Sequence, residues 1–320
     1  FTLTTGNDRR FLCMKKILIT GATGFIGSGI ARKLLENGYE VCATHRTSSS
    51  FEKCKAFREK VRWINTDKRG WEEQVKTEQP EQFIHAAWSG IAARERNDWD
   101  LQISNFRMSQ AFFNLAGECN VKKILSFGSQ AEYGSPGIPA TEETAPKPAD
   151  AYGTTKTLTL HYLRNLFENS PAEWYWLRVF SVFGEGDNPG WLIPSVISGL
   201  LKNQPVQLTS CEQRYNYLYI EDFLDQVFSV VASGNRESGI YNICSTKSIV
   251  LKELLIKTAD LMNVPHSLLQ FGSIPQRPGQ NMNIDGDNSK FTKQFQAESE
   301  PVGLIAGLTR TIAYYRNMES

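Results

Sequence analysis

Short apolar runs alternate with longer amphipathic stretches through the first 180 residues of the chain. Residues 17–20 read ILIT, and five further runs rich in β-branched or aromatic residues follow at intervals that leave room for helices. Strands of parallel sheets are almost continuously apolar, because helices cover both faces of the sheet. The pattern therefore predicts a doubly wound α/β fold with a parallel sheet. Its predicted strands are residues 17–20, 39–44, 61–65, 82–87, 123–127 and 174–180, with a first helix over 28–37.

The rhythm changes after Gly184, where GEGDNPGWLIP forms a turn-rich connection. Strand-like and helix-like segments then mix, which predicts a smaller α/β C-terminal region that returns in part to the sheet. The predicted strands there are 206–208, 217–220 and 239–242, and the predicted helices are 195–202, 222–231, 251–262 and 302–315.

Composition narrows the possible partners. The chain has 320 residues, of which 41% are hydrophobic and 22% charged, and its formal net charge is +1. Balanced charge without long like-charged blocks argues against nucleic acid or a membrane surface as the main partner. No apolar run approaches the ~20 residues of a membrane helix. The six cysteines are scattered, with no CxxC pair and no histidine cluster, so we expect reduced thiols in a cytoplasmic protein and no metal site.

The first 13 residues, FTLTTGNDRRFLC, are polar and lack the apolar core of a signal peptide. Met14 directly precedes the first apolar run. We therefore expect residues 1–13 to be a disordered extension outside the fold.

Three glycines, Gly21, Gly24 and Gly27, stand between the first predicted strand and the first predicted helix. In a dinucleotide-binding Rossmann fold the first such glycine permits a tight turn, and the second lets the backbone approach a pyrophosphate. The third lets the helix pack closely on the sheet. The strand before and the helix after favour this interpretation over a plain glycine turn.

The end of the second strand distinguishes NAD from NADP. NAD-selective sites carry an acidic residue there, about 20 positions after the glycine loop, to bind the ribose 2′-hydroxyl. Here the sequence reads THRTSS, without an acid. Arg46 and Thr47 are suited to a 2′-phosphate, since a guanidinium forms charge-assisted hydrogen bonds with phosphate. NADP(H) is therefore favoured over NAD(H); the alternative is that Arg46 is simply solvated.

In the stretch AYGTTK, Tyr152 and Lys156 are four residues apart at a predicted helix start. Residues at this spacing lie on one helix face. A neighbouring cation favours the phenolate form, so Lys156 would lower the pKa of Tyr152 and make it a proton donor and acceptor. The same spacing also arises by chance.

Together these motifs resemble the extended short-chain dehydrogenase/reductase family of nucleotide-sugar epimerases, dehydratases and ketoreductases. The resemblance runs from Met14 to the C-terminus. It rests on segments in the family's order: TGATGFIG (20–27), FIHAAW (83–88), ILSFGSQAEYG (124–134), AYGTTK (151–156), LRVFSVFG (177–184), QRYNYLYIED (213–222) and RPGQ (277–280).

The resemblance implies a role for each matching residue. Tyr152 would be the general acid for a sugar carbonyl, Lys156 would hold the nicotinamide ribose, and Ser129 would donate to the same carbonyl oxygen. The implied cofactor-binding residues are Gly21, Thr23, Gly24, Phe25, Ile26, Gly27, Arg46, Thr47, Asp67, Ala86, Ala87, Asn105, Tyr152 and Lys156. The implied substrate-binding residues are Trp88, Ser89, Gln130, Leu192, Arg214 and Arg277.

Some of these assignments have plain structural alternatives. Arg214 and Arg277 would otherwise form surface salt bridges, and Trp88 would otherwise belong to the core. Trp88 follows the carboxyl end of a strand, where ligands bind in open α/β sheets, which favours substrate contact. The four histidines are expected to be structural or solvated.

Departures from the family pattern select among its reactions. The 4,6-dehydratases resemble Thr-Asp-Glu at the positions of Ser129, Gln130 and Ala131. Gln130 and Ala131 have no carboxyl group to move a proton. Glu132 is displaced by one residue, and in an extended segment its side chain would point to the opposite side. We therefore expect a ketone reductase rather than a dehydratase.

The hypothesis is NADPH-dependent reduction of the C4 ketone of a nucleoside-diphosphate 4-keto-6-deoxyhexose. A 4-epimerase with retained NAD remains an alternative, as do a non-catalytic NADP(H)-sensing protein and a lipophilic-ketone reductase. The predicted layout is an NADP-binding Rossmann domain over 14–184, with 214–244 returning to it, and a nucleotide-sugar-binding region over 185–213 and 245–320. By analogy with the family, we expect a homodimer.

Overall fold

Parallel strands form the central sheet of the molecule. The computed structural model describes residues 15–277, 279–295 and 300–319. The strands are β1 (Lys16–Thr20), β2 (Glu40–His45), β3 (Arg62–Asn65), β4 (Gln82–His85), β5 (Lys123–Ser129), β6 (Glu173–Val179), β7 (Ser181–Phe183), β8 (Val206–Leu208), β9 (Arg214–Tyr215), β10 (Tyr217–Tyr219), β11 (Gly239–Ile243), β12 (Ile249–Val250), β13 (Leu269–Phe271) and β14 (Asn283–Ile284). The α-helices are α1 (Phe25–Glu36), α2 (Trp71–Glu78), α3 (Trp99–Glu118), α4 (Ala151–Phe167), α5 (Leu192–Leu201), α6 (Ile220–Ala232), α7 (Leu251–Met262), α8 (Ser289–Gln294) and α9 (Gly303–Glu319).

Seven strands form the central sheet in the order β11-β6-β5-β4-β1-β2-β3, and every pair of neighbours is parallel. The six strands predicted from the apolar runs are all present, and β11 completes the sheet. The strand order reverses direction between β1 and β4. Ligands of open α/β sheets bind outside the carboxyl ends of the strands at such a switch point.

Helices cover both faces of this sheet and form two apolar layers. One layer combines α1 and α6 with the C-terminal helices α5, α7 and α9. The other packs α3 and α4 against the opposite face, through residues such as Phe113, Leu160 and Trp176. Because the first layer includes side chains from both halves of the chain, the C-terminal region shares its core with the Rossmann part.

The C-terminal region differs in detail from the predicted layout. Within 214–244, α6 and β11 join the Rossmann part, and β10 pairs with β7 of that part. β9 lies instead in a three-stranded sheet of order β12-β9-β14. Helix α1 begins at Phe25, three residues earlier than predicted, because the glycine turn ends at Gly24.

The described part of the chain contains no helix that is both long and apolar enough to cross a membrane. The expected extension, residues 1–13, lies outside the described residues.

Candidate functional site

The glycine loop closes tightly on the strand beside it. Gly21 has a φ of +72°, a conformation that favours glycine, and a Cβ there would lie 2.6 Å from the backbone nitrogen of Ala87. A Cβ on Gly27 would lie 2.2 Å from the carbonyl oxygen of Gly21. Both glycines therefore have the packing roles that the sequence predicted.

Gly24 differs, because its added Cβ would contact only the Gly21 oxygen, at 3.3 Å. Gly24 is the N-cap of α1, no side chain caps this helix, and its first turn has no acidic residue. An uncapped helix start with free backbone N–H groups is suited to an anion. The loop thus fits the pyrophosphate of a dinucleotide, bound by backbone rather than by side chains.

The end of β2 carries the residues predicted to select the cofactor. Arg46 and Thr47 are exposed, and the Thr47 backbone N–H donates to the Asp67 carboxylate at 2.7 Å. Hydrogen bonds from Thr47, with a smaller contribution from Arg46, lower the pKa of Asp67. A carboxylate therefore lies at this edge after all, supplied by the loop after β3 rather than by β2 itself.

At the end of β4, the backbone of Ala86 and Ala87 lies against Gly21 of the glycine loop, and their predicted contact with a cofactor stays a prediction. Asn105 of α3 is buried. Its side-chain oxygen accepts the Ser89 backbone N–H at 3.0 Å, and its side-chain nitrogen donates to the Ser89 carbonyl at 2.9 Å. The structure therefore shows Asn105 fixing the loop after β4. Its contact with a cofactor stays a prediction.

His85, the last residue of β4, is a structural residue. Its ring nitrogens lie 2.8 Å from the Thr20 hydroxyl and 2.9 Å from the Ser109 hydroxyl. Burial lowers the pKa of His85 to about 3, so the ring is neutral. Among the described residues, no group of three His, Cys, Asp or Glu side chains is arranged to hold a metal ion.

Ser129 ends β5 and starts a 3₁₀ helix, Gln130–Glu132. The Ser129 hydroxyl accepts the Ala131 N–H, while the Ser129 N–H donates to Glu132 at 2.8 Å, which forms a capping box. The segment is thus helical and not extended, so the alternation argument used for Glu132 was wrong. The helical turn, rather than strand alternation, directs Glu132 away from the cleft.

Glu132 is fully buried and forms an ion pair with Arg178 at 2.8 Å. The Trp176 indole N–H lies 3.0 and 3.2 Å from its two carboxylate oxygens. A carboxylate in these contacts is held in the core as an anion. Glu132 is therefore a structural group, and the expectation that it takes no part in elimination agrees with its position.

Tyr152 is the second residue of α4 and lies close to the carboxyl end of β5. Gly153 permits this approach, because a Cβ there would lie 2.6 Å from the Ala131 oxygen. Asp150 caps the helix by accepting the Gly153 N–H at 2.7 Å. Ser129, Tyr152 and Lys156, predicted from separate motifs, are thereby brought together as three buried side chains.

Lys156 lies one helical turn further along α4. Its ammonium donates to the Phe127 carbonyl at 2.7 Å and is 3.6 Å from the ring centroid of Trp88. Burial lowers the pKa of Lys156 to about 7, and the Glu132 charge opposes this change. Trp88 also meets the Tyr152 ring edge to face, with centroids 6.0 Å apart. Trp88 thus packs against both Lys156 and Tyr152.

The pKa of Tyr152 is raised, which corrects the predicted lowering. Burial is the main cause, and the hydrogen bond with Ser129 and the charge of Arg96 oppose it. The Lys156 ammonium is 5.8 Å from the ring centroid of Tyr152. Burial outweighs the Ser129 hydrogen bond and the Arg96 charge, so the phenol is protonated at neutral pH.

The predicted substrate-binding residues differ in their exposure. Arg214 and Arg277 are exposed on the C-terminal side, and Gln130 and Leu192 are half-buried. Tyr215, next to Arg214 in β9, donates its hydroxyl hydrogen to the Asn281 carbonyl at 2.9 Å. The structure shows these positions; substrate contact by any of them stays a prediction.

Two residues of the cleft were missed by sequence reasoning. Arg96, in the loop before α3, stacks on the Tyr152 ring, and Tyr215 lies close enough to Arg96 and Arg277 for both charges to lower its pKa, although burial raises it overall. Arg96 belongs to no periodic pattern, whereas Tyr215 is the first of the alternating tyrosines in QRYNYLYIED. The only local signal for Arg96 is its place in a polar segment after a sheet strand.

A parallel sheet with a dinucleotide-type glycine loop and a buried Ser-Tyr-Lys cluster at its carboxyl edge defines the class of short-chain dehydrogenases/reductases. Residues 17–244 match the NAD-dependent epimerase/dehydratase family. The chain belongs to this family, the extended branch of the class.

Its relatives include a dTDP-4-dehydro-6-deoxyglucose reductase from Escherichia coli, which is 27% identical over 75% of this chain and 79% of the relative. A CDP-abequose synthase from Salmonella muenchen is 24% identical over 87% of this chain and 91% of its own. Among solved structures, a UDP-glucose 4-epimerase from Thermotoga maritima has a TM-score of 0.83 at 23% identity and covers 95% of this chain and 100% of its own. The last similarity shows the shared fold.

Proposed function

We propose that the protein reduces the C4 ketone of a nucleoside-diphosphate 4-keto-6-deoxyhexose with a nicotinamide cofactor, preferentially NADPH. The observation that carries the proposal is the buried cluster of Ser129, Tyr152 and Lys156 without an accompanying pair of catalytic carboxylates. The Escherichia coli and Salmonella relatives, whose names describe a 4-dehydro-deoxysugar reductase and a CDP-deoxysugar synthase, support this substrate class.

A bound reduced nicotinamide supplies the hydride for C4. The Ser129 hydroxyl and the Tyr152 phenol are adjacent, so both can donate hydrogen bonds to one ketone oxygen. Tyr152, protonated at neutral pH, gives its proton to that oxygen as C4 is reduced, and it becomes a phenolate. Lys156 lies one helical turn further along α4, where its charge stabilises the anion that forms.

The chemistry of the loop after β5 argues against elimination. Removing water from a sugar needs one group to abstract a proton and another to protonate the leaving hydroxyl. Gln130 and Ala131 have no carboxyl group. The Glu132 carboxylate accepts hydrogen bonds from Arg178 and Trp176 inside the core. With these groups unable to act, ketone reduction by Tyr152 is the simpler reaction.

The preference for NADPH rests on the exposed Arg46 and Thr47 beside the adenosine end of the expected cofactor position. Asp67, hydrogen-bonded to Thr47, is the counter-argument, because a carboxylate repels a 2′-phosphate and suits a free ribose. This observation favours the second candidate, a 4-epimerase that retains NAD. The structural similarity to UDP-glucose 4-epimerase gives the fold needed for that reaction as well.

Thermal shift and turnover with a matched panel separate these candidates. CDP, dTDP, GDP and UDP are each combined with NADPH or NADH, and the corresponding 4-keto-6-deoxyhexoses are then assayed by loss of absorbance at 340 nm. We expect stabilisation by one nucleotide with NADPH and stoichiometric oxidation of the cofactor.

Other outcomes distinguish the alternatives. Epimerisation of a nucleotide sugar without net cofactor oxidation would establish the epimerase instead. Binding of NADPH without turnover of any sugar would indicate a sensing protein, and stabilisation by none of the nucleotides would contradict sugar chemistry.

We also propose the homodimer expected from the family, through the outer face of α3 and α4. Leu158 and Leu166 of α4 are exposed, at 43% and 38% of their full accessible surface, which supports an apolar contact there. Light scattering of the purified protein tests it, since a monomeric mass at micromolar concentration would contradict the proposal.

A further inference from the structure

Arg96 is the most direct contact of the catalytic tyrosine that the mechanism above does not use. Its guanidinium carbon lies 4.5 Å from the centroid of the Tyr152 ring, closer than the 5.8 Å of the Lys156 ammonium. The Arg96 carbonyl also accepts the Tyr152 backbone N–H at 2.9 Å. Side chain and backbone of Arg96 thus both meet the same residue.

The guanidinium is held in this orientation by Asp150. The Arg96 Nε donates to an Asp150 carboxylate oxygen at 2.6 Å, while the other oxygen of Asp150 caps α4. One carboxylate therefore fixes both the start of the Tyr152 helix and the cation on the Tyr152 ring. The Arg96 and Asp150 side chains are 26% and 19% exposed, so solvent does not fully screen the charge.

We propose that Arg96 is a positioning residue for proton transfer at Tyr152: its stacked guanidinium stabilises the negative charge that the ring carries after the proton has left. A cation over an aromatic face is attracted by the ring, and more strongly when the ring itself becomes an anion. The inference rests on the proposed function for the direction of transfer, from the phenol to a ketone oxygen.

Other charged groups also lie around the Tyr152 ring, and the effect of Arg96 on its ionisation must be compared with theirs. Lys156 is on the same helix, Asp150 is at its start, and Glu132 lies behind Ser129 at the end of β5. The two acids disfavour the phenolate, and the Ser129 hydrogen bond and Arg96 favour it. Removal of Arg96 leaves the Glu132 pair with Arg178 intact and takes the cationic partner from Asp150.

A fluorinated tyrosine at position 152 tests the inference without any substrate. Its phenol is more acidic, so fluorine NMR can follow its titration at a pH where the protein is folded. We expect Arg96→Gln to raise the midpoint by about one pH unit, because a favourable neighbouring charge is lost. Arg96→Lys, which keeps the charge without the planar stack, should give a smaller rise.

Two further variants distinguish charge from structure. Arg94→Gln, at an exposed arginine of the same loop, is the matched control and should leave the midpoint unchanged. Asp150→Asn retains a capping side chain but releases the guanidinium, so Arg96→Gln should shift the midpoint less in the Asp150→Asn background than in the parent. An unchanged midpoint in Arg96→Gln overturns the inference, and so does an unchanged midpoint in Arg96→Lys, which remains informative even if Arg96→Gln does not fold.

Turnover then connects the result with the proposed reaction. With the ketosugar that the panel identifies, Arg96→Gln should lower kcat about tenfold, move the alkaline limb of the kcat profile upward and leave KM within about twofold. A larger KM with unchanged kcat would assign Arg96 to substrate binding and overturn the inference. If no ketosugar is turned over, the proposed function fails while the titration still decides the role of Arg96.

Discussion

Two sets of side chains near the end of β5 have the same chemistry and opposite surroundings. Tyr133, Arg178 and Glu132 form the buried trio, in which the guanidinium is 4.4 Å from the ring centroid and 2.8 Å from the carboxylate. Tyr152, Arg96 and Asp150 form the cleft trio, with corresponding distances of 4.5 and 2.6 Å. Each consists of a tyrosine, an arginine stacked on it and an acid that orients the arginine.

Burial and the partner of the hydroxyl separate the two. In the buried trio the Arg178 and Glu132 side chains are 1% and 0% exposed, and the Tyr133 hydroxyl donates to Asn242 at 2.7 Å. In the cleft trio the Arg96 and Asp150 side chains are 26% and 19% exposed, and the Tyr152 hydroxyl lies beside Ser129. The same three residue types therefore occur once with the phenol bonded inside the core and once with the phenol beside Ser129, where the proposed function requires proton transfer.

The largest expected difference concerns turnover. Tyr152→Phe removes the proton donor, so kcat for the identified ketosugar should fall by roughly 10²- to 10⁴-fold, the usual contribution of a positioned acid. Tyr133→Phe, the matched change in the buried trio, should leave kcat near that of the parent. Cofactor binding, followed by fluorescence of NADPH, should be retained in both. A Tyr152→Phe enzyme with near-parental kcat would remove the distinction between the trios and the proposed mechanism with it.

Stability should respond in the opposite order. Glu132→Gln leaves the Arg178 charge uncompensated in the core, which costs about 3–5 kcal/mol in the free energy of unfolding. Asp150→Asn breaks a partly exposed pair and keeps a capping residue, so its cost should be under about 1 kcal/mol. Urea unfolding of the two variants measures both values. Equal losses would mean that burial does not distinguish the two pairs.

The sequence predicted the strands and turns that position the two trios, but not which distant side chains contact each other in them. The strands were recognisable because parallel strands are apolar on both faces, and Gly21, Gly24 and Gly27 because their spacing has a steric cause. The Tyr152 and Lys156 pair was found from helical spacing. In each case the signal lies within a few residues of the feature it predicts.

The partners that were missed come from distant parts of the chain. Arg96 reaches Tyr152 across 56 positions, and Arg178 reaches Glu132 across 46, so no local periodicity records either contact. The pKa of Tyr152 was predicted in the wrong direction for the same reason. The sequence spacing identified the cationic neighbour of Tyr152, Lys156. The direction of the pKa change was determined by burial, which is a property of the whole fold.

The pH dependence of stability tests the surroundings of Lys156, which lies beside Tyr152 of the cleft trio. Its pKa is about 7 in the fold against 10.5 in a model peptide, so between these values the unfolded chain holds a proton that the folded protein lacks. The free energy of unfolding should therefore rise with pH over this window, by about 1.4 kcal/mol per pH unit at most. Lys156→Met removes this contribution, and the variant should be more stable than the parent near pH 7.

Urea unfolding of parent and Lys156→Met at pH 7, 8 and 9 gives the difference directly. The stability advantage of the variant should shrink as the pH rises, because the parent loses its penalty. A difference that does not change with pH would show that the hydrogen bond to Phe127 and the Trp88 ring hold the ammonium fully charged. Lys156 would then resemble the compensated charge of Arg178 in the buried trio.

Tyr133→Phe should have a small effect on stability. The change removes only the hydroxyl that donates to Asn242, while Arg178 remains on the ring face, so the free energy of unfolding should fall by about 1 kcal/mol. Burial raises the pKa of Tyr133 to about 12, so this hydroxyl is neutral and the loss should not vary between pH 7 and 9. Urea unfolding at both pH values measures it. A loss that grows with pH would mean that Tyr133 ionises in the fold, and the two tyrosines would then differ in position but not in chemistry.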